Sequence, residues 1–119
     1  MNIYVHNWSH LKGDTYPREN DYVYTILKNG DPLDLTDALI EIEFRVSADH
    51  DPVMTWSSDP EIGGVVIDDD PTLGKFKYAE QIIDLKAGVY KYDVQITING
   101  VKATYLKGEL TIVQDITQL

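Results

Sequence analysis

The sequence predicts an all-β protein and, within that class, a β-sandwich of about seven short strands. Three observations carry this reading. Apolar residues alternate with polar ones in several stretches, the signature of strands with one buried face. Turn formers divide these stretches roughly every eight to twelve positions, the spacing of a sandwich. No apolar stripe at helical spacing runs long enough to hold a helix against a core.

Along the chain, residues 1–12 read as an N-terminal arm or edge strand, with 3–5 its extended part, and residues 13–119 read as the sandwich. A loop, Gly13-Asp14-Thr15-Tyr16-Pro17, joins the two. A strand over about 22–28 is closed by Asn29-Gly30-Asp31-Pro32, a run of turn formers. In 40–46 the alternation is strict, with Ile40, Ile42, Phe44 and Val46 set against Glu41, Glu43 and Arg45. Shorter strands are expected at 53–57, 65–68 and 74–79. Pro52, Pro60, Pro71 and Gly63-Gly64 argue against central places for them in a sheet. Residues 90–98 alternate again, from Tyr90 and Tyr92 through Val94 and Ile96 to Ile98. Asn99-Gly100 then separates this run from the last strand. Both residues tolerate the positive φ of a type I′ turn, so a hairpin follows in which Ile98 faces Val101, Ile96 faces Ala103 and Val94 faces Tyr105. The later apolar positions, Leu106, Leu110 and Ile112, have the opposite parity. A one-residue slip would flip every side chain, which calls for a β-bulge, placed near Gly108.

The segment Leu85-Lys86-Ala87-Gly88-Val89-Tyr90 has the L-x-x-G-x-Y spacing of a tyrosine corner. In that device a Tyr near the start of a late strand hydrogen-bonds back to the preceding connection. The other reading makes Tyr90 an aromatic core residue after a turn. Either way Tyr90, with Leu85 and Gly88, is structural, as are Asn99 and Gly100.

A length of 119 residues suits one core. Ten Lys and Arg against twenty Asp and Glu leave a formal charge of -10, which opposes binding to nucleic acid or an anionic membrane. Twelve of the acids and only one base, Arg45, lie within residues 31–70. That third of the sequence is either a solvated face or one that steers a cationic partner. With no Cys, thiol nucleophiles, disulfides and iron–sulfur sites are excluded. No apolar run approaches the ~18 residues of a membrane span. The first residues also lack the cationic and apolar regions of a secretory leader.

Little in the sequence points to catalysis. His6, His10 and His50 read as loop histidines, and no H-E-x-x-H, G-x-S-x-G or phosphate-cradling glycine loop is present. No enzyme activity and no cofactor are expected. Asp68-Asp69-Asp70 admits two readings, a solvated turn or part of a Ca²⁺ site completed by oxygens from elsewhere. Trp8 and Tyr16 are the candidate anchors for a partner, while Trp56 either anchors or closes one end of the core. If the edges at 3–5 and 110–113 are uncovered, they would accept another strand. The segment through Pro17 is then expected to be ordered mainly by a neighbouring subunit.

Three stretches taken together resemble the immunoglobulin-like N-terminal domain of tailed-bacteriophage baseplate upper proteins, shared by small phage virion proteins. The first is Gly13-Asp14-Thr15-Tyr16-Pro17. Next comes the turn Asn29-Gly30-Asp31-Pro32 with the D-L-T motif Asp34-Leu35-Thr36 and a strand ending in Arg45. The third is L-x-x-G-x-Y-x-Y-D at 85–93, a hairpin and a closing strand over 106–113. Asp37 stands where the family usually has Gly, which puts that turn's geometry in question. The resemblance spans about residues 11–115 and implies an immunoglobulin-like Greek-key sandwich. It also implies a non-enzymatic structural role in the virion, in contact with other virion proteins, in several copies and without nucleic acid or membrane. The place implied is a tail, baseplate or fibre-attachment component, after assembly in the host cytoplasm. Capsid decoration, a head-fibre anchor, and a carbohydrate- or Ca²⁺-binding adhesion module are the alternatives.

Overall fold

A computed structural model describes residues 4–12, 14–16 and 24–114. The protein is all-β, and among the described residues its one helical element is a three-residue 3-10 turn, Pro71–Leu73. The strands in the first half are β1 (Tyr4–Val5), β2 (Trp8–Leu11), β3 (Thr15–Tyr16), β4 (Tyr24–Thr25), β5 (Leu27–Lys28), β6 (Asp31–Pro32) and β7 (Leu39–Arg45). Those in the second half are β8 (Met54–Ser57), β9 (Val65–Ile67), β10 (Lys75–Tyr78), β11 (Gln81–Ile82), β12 (Gly88–Ile98) and β13 (Val101–Val113).

A six-stranded sheet runs in the order β1-β13-β12-β7-β8, with β2 also lying on β13. A three-stranded sheet runs β4-β10-β9, and two small ribbons pair β3 with β11 and β5 with β6. The two larger sheets share one core and meet along an aromatic seam. Trp56 of β8 lies 4.9 Å from Tyr78 of β10 between ring centres, and 4.8 Å from Phe44 in an edge-to-face contact. Tyr24 stacks on Phe76 at 5.3 Å on the far side. Each such pair contributes about 0.5–1.5 kcal/mol beyond its buried area.

Period-two alternation is realised where it is longest. Ile40, Ile42 and Phe44 are fully buried, as are Val94 and Ile96, with Tyr90 and Tyr92 nearly so. Val46 departs from the pattern: β7 ends at Arg45 and Val46 is exposed. Met54–Ser57 is an edge strand as its flanking Pro suggests, but β10 is central, because its four residues contain neither Pro nor Gly and alternate cleanly. The single strand expected over 22–28 is instead two short ones in different sheets, and residues 22 and 23 lie outside the described set. Asn29 and Gly30, with φ of 54° and 86°, link β5 to β6 as a second tight hairpin rather than merely closing a strand.

The hairpin at Asn99-Gly100 forms with φ of 51° and 79°, pairing Ile98 with Val101 and Ile96 with Ala103. Past that point the expected register fails. Val94 pairs with Leu106, not Tyr105, because the register shifts between Val94 and Gln95. The bulge is therefore at Tyr105, three residues before the expected place, and it turns Leu106, Leu110 and Ile112 inward at once. Gly108 has a different task. It lies opposite Tyr92, and a Cβ there would fall on the carbonyl oxygen of His6.

That close approach seats the N-terminal arm. β1 runs parallel to Leu106–Lys107 of β13 and β2 runs parallel to Leu110–Val113, with His6 and Asn7 crossing Gly108 between them. The His6 carbonyl accepts from the Tyr92 hydroxyl, its N–H donates to Lys107 O at 2.9 Å, and Asn7 Oδ1 accepts from Glu109 N at 2.9 Å. The 110–113 edge, which would accept another strand if uncovered, is thus covered by the protein's own arm. Residues 4–5 and 8–11 thus have backbone pairing partners within the protein itself.

Gly108→Ala is expected to displace the arm and lower stability by roughly 1–3 kcal/mol, the cost of overpacking a close contact. Gly100→Val is expected to cost roughly 1–2 kcal/mol through the left-handed conformation alone. Thermal unfolding checks both. A separate signature distinguishes them, since only Gly108→Ala should increase amide exchange at residues 4–11.

Candidate functional site

Two turns carry the motifs singled out in the sequence, and both are built the same way. Asp34 Oδ1 accepts from Thr36 N at 2.9 Å and from its hydroxyl at 2.6 Å. Asp70 Oδ1 accepts from Thr72 N at 3.1 Å and from its hydroxyl at 2.6 Å, capping the 3-10 turn. Leu35 N donates to Pro71 O at 2.9 Å, so the two Asp-x-Thr clasps lock together over the buried Leu35 side chain. The Thr36 hydrogen bonds hold the Asp34 carboxyl below its ordinary range. Asp37 adopts φ 58°, the left-handed conformation that glycine favours, and Asp tolerates it. The turn is kept despite the missing glycine. At the start of β12, the Tyr90 hydroxyl donates to Lys86 O at 2.7 Å, the bond that the L-x-x-G-x-Y spacing calls for.

These clasps use the carboxylates proposed for a cation. Asp68 Oδ1 accepts from Asp70 N at 3.0 Å, and Asp70 is committed to Thr72. Asp69 is exposed in the same turn. Among the described residues, no group of three or more His, Asp or Glu converges as a metal-holding set.

The acidic third of the sequence does not make one face. The locked turns place Asp34, Asp37, Asp68, Asp69 and Asp70 at the end of the molecule where Leu39 pairs with Thr97, beside the Asn99-Gly100 hairpin. Asp49 and Asp51 follow β7 at the opposite end. Glu41 and Glu43 lie between, on the outer face of the large sheet, where Lys102 comes within 3.5 Å of Glu41 and Arg45 within 3.1 Å of Glu43.

That outer face, across β7, β12 and β13, is the most structured polar surface. Asp93 lies directly opposite Glu43 on one side and Lys107 on the other. Partial burial, reinforced by the Glu43 charge, raises the Asp93 carboxyl above its ordinary value, against a smaller pull from Arg45 and Lys102. Lys91 sits between Arg45 and Glu109 across the strands. Among the described residues, neither Lys91 nor Lys107 has an acid within ion-pair distance. Open, shallow depressions flank Tyr92, one reaching Ala48 and the other Val5 and Asn7, and both are lined by Lys91 and Lys107. Such a surface suits contact with another macromolecule better than enclosure of a small substrate.

The histidines and aromatics fall into structural places. His10 is buried and its Nε2 lies 2.8 Å from Asp14 O, while the His6 ring meets Tyr24 edge-on. A pairing invisible in the sequence joins Ser47 Oγ to His50 Nδ1 at 2.6 Å, with Arg45 donating to His50 O. It closes the exposed turn after β7. Trp8 is half-buried, stacked on Tyr78 at 6.1 Å and near Trp56 at 6.4 Å, so much of the surface expected to meet a partner is used within the protein itself. Trp56 is buried in the core. Tyr16 pairs through its backbone with Gln81, and its side chain lies outside the described set, as do Gly13 and Pro17.

No protein-family model matches the sequence, and neither does any curated protein.

The raised Asp93 carboxyl has a direct consequence for stability. Protonation is favoured by folding, so this group's contribution is present in acid and is lost as pH rises through its folded pKa. Asp93→Asn is therefore expected to raise the melting temperature at neutral pH, with the advantage shrinking toward zero in acid. Melting curves of both proteins across pH check the sign. Asp34 behaves oppositely: its contribution is present at neutral pH and is lost as pH falls.

Proposed function

We propose that the protein is an immunoglobulin-like, Greek-key sandwich serving as a non-enzymatic structural component of a tailed-bacteriophage virion, in its tail, baseplate or fibre attachment and in several copies. The carrying observation is that the motifs of the resemblance coincide with interlocked structural devices. Asp34-Leu35-Thr36 forms a clasp over a buried Leu35. Asp37 holds the left-handed conformation at the position where the family usually has Gly. Tyr90 ties the start of β12 to Lys86. A chance collection of short motifs has no reason to fall where the backbone needs each of them.

The protein acts by protein–protein contact. The outer face of β7, β12 and β13 supports this: Lys91 and Lys107 are exposed there and, among the described residues, have no acid within ion-pair distance, so they can meet acidic groups of another virion subunit. Exposed charges of this kind steer encounter and partner choice more than raw affinity.

Purified particles from the phage that encodes the protein provide the test. Quantitative mass spectrometry is expected to find the protein in several copies per particle, and its absence from particles overturns the virion reading. Lys91→Glu combined with Lys107→Glu is expected to leave circular dichroism unchanged and lower incorporation at least roughly tenfold. Unchanged incorporation removes this face from the docking surface.

A further inference from the structure

Two exposed Asn-Gly pairs hold the same backbone conformation in hairpins of very different strength. Asn29-Gly30 joins β5 to β6, strands of two residues each, and the next backbone tie is Leu33 N to Ile26 O at 2.8 Å. Asn99-Gly100 joins β12 to β13, which continue as an antiparallel ladder from Ile98↔Val101 to Gly88↔Ile112. A Cβ built on Gly30 or Gly100 would meet nothing within 4 Å, so both turns stand clear of the body. Among the described residues, neither Asn side chain has a hydrogen-bonding partner.

We propose that Asn29 is a site of spontaneous deamidation whose rate is set by opening of the β5–β6 hairpin, and that the long β12–β13 hairpin protects Asn99 from the same reaction. In the first step the Gly30 backbone nitrogen attacks Asn29 Cγ. A new bond from that nitrogen to Cγ closes a five-membered succinimide, the Asn29 Cγ–Nδ2 bond breaks, and ammonia leaves carrying the proton from the Gly30 amide. One water then attacks either ring carbonyl carbon, and that carbon's bond to the Gly30 nitrogen breaks, the nitrogen regaining a proton. Attack at Cγ gives aspartate, and attack at the Asn29 backbone carbonyl gives isoaspartate. Water is the sole co-reactant, and no side chain on the following residue obstructs the attack.

The fold controls the first step. Ring closure needs the Asn backbone to leave the conformation that a type I′ turn imposes, so the reaction proceeds from locally opened molecules. A ribbon of two-residue strands opens at far lower cost than the end of a ladder buried on one face. The two products also act differently. Aspartate adds a negative charge beside Asp31, whose backbone pairs with Lys28 across the same turn. Isoaspartate inserts an extra backbone atom into a two-residue loop, and the Lys28↔Asp31 pairing cannot survive that insertion.

The test ages the intact protein at mildly alkaline pH and follows both peptides by mass spectrometry, reading the gain of about one dalton that replaces NH₂ by OH. The same protein in denaturant supplies each site's intrinsic rate. Protection, the ratio of denatured to native rate, is expected to be at least on the order of tenfold greater at Asn99 than at Asn29. Equal protection, greater protection at Asn29, or no conversion at Asn29 while the denatured protein reacts fully would each overturn the proposal.

Discussion

The aromatic contact between Trp56 and Tyr78 makes the two main sheets one body. Trp56 belongs to the edge strand of the large sheet and Tyr78 to the central strand of the small one, so neither sheet can shift without parting them. Phe44 and Tyr92 extend the seam into the large sheet, Tyr24 and Phe76 into the small one, and Trp8 stacks over the junction. Planar side chains suit this place because they bury large areas while fixing only two torsions each. The seam also explains why a strand as short as β10 can hold a central position. Phe76 and Tyr78 face the core while Lys75 and Lys77 face water.

The second constraint is parity along β13. The first residues of that strand must match Ile98 and Ile96 across the hairpin, and the last must present Leu106, Leu110 and Ile112 to the core. Both demands cannot be met by an unbroken period of two. One extra residue at Tyr105 resolves the conflict and strengthens the local twist. The arm then finds β13 with its outer edge free, and Gly108, lacking a side chain, admits the His6 carbonyl. An edge that would otherwise invite foreign strands is covered from within the protein.

Charge is organised with the same economy. The turns at one end keep their carboxylates busy with neighbouring Thr hydroxyls and backbone N–H groups, which holds the ends of strands in place. On the outer face of the large sheet, acids and bases alternate across strands, except where Asp93 meets Glu43 and where Lys91 meets Arg45. A surface patterned this way resists random edge-to-edge association while leaving specific points of attachment. That combination underlies the proposal of a component that docks onto other subunits.

The sequence by itself determined the all-β class, the Asn99-Gly100 hairpin and the inward rows of β7 and β12, because period and turn chemistry act over neighbouring residues. It also marked Tyr90 as structural, since a side group reaching a backbone group four positions away leaves a spacing, whereas Asp34-Leu35-Thr36 stood out only through the resemblance. Tertiary structure decided the rest. The bulge fell at Tyr105 rather than near Gly108 because its place depends on which pairing the hairpin imposes upstream and which residues the core demands downstream. The separation of Asp34 and Asp37 from Asp49 and Asp51, at opposite ends of β7, with Glu41 and Glu43 between them on one sheet face, followed from the course of that strand through the sheet. Trp8 packed against the core because β13 offered an edge about a hundred residues away, a contact without any local sequence mark. Local spacing governs which elements form, but only the folded whole settles which edges and faces remain for anything else.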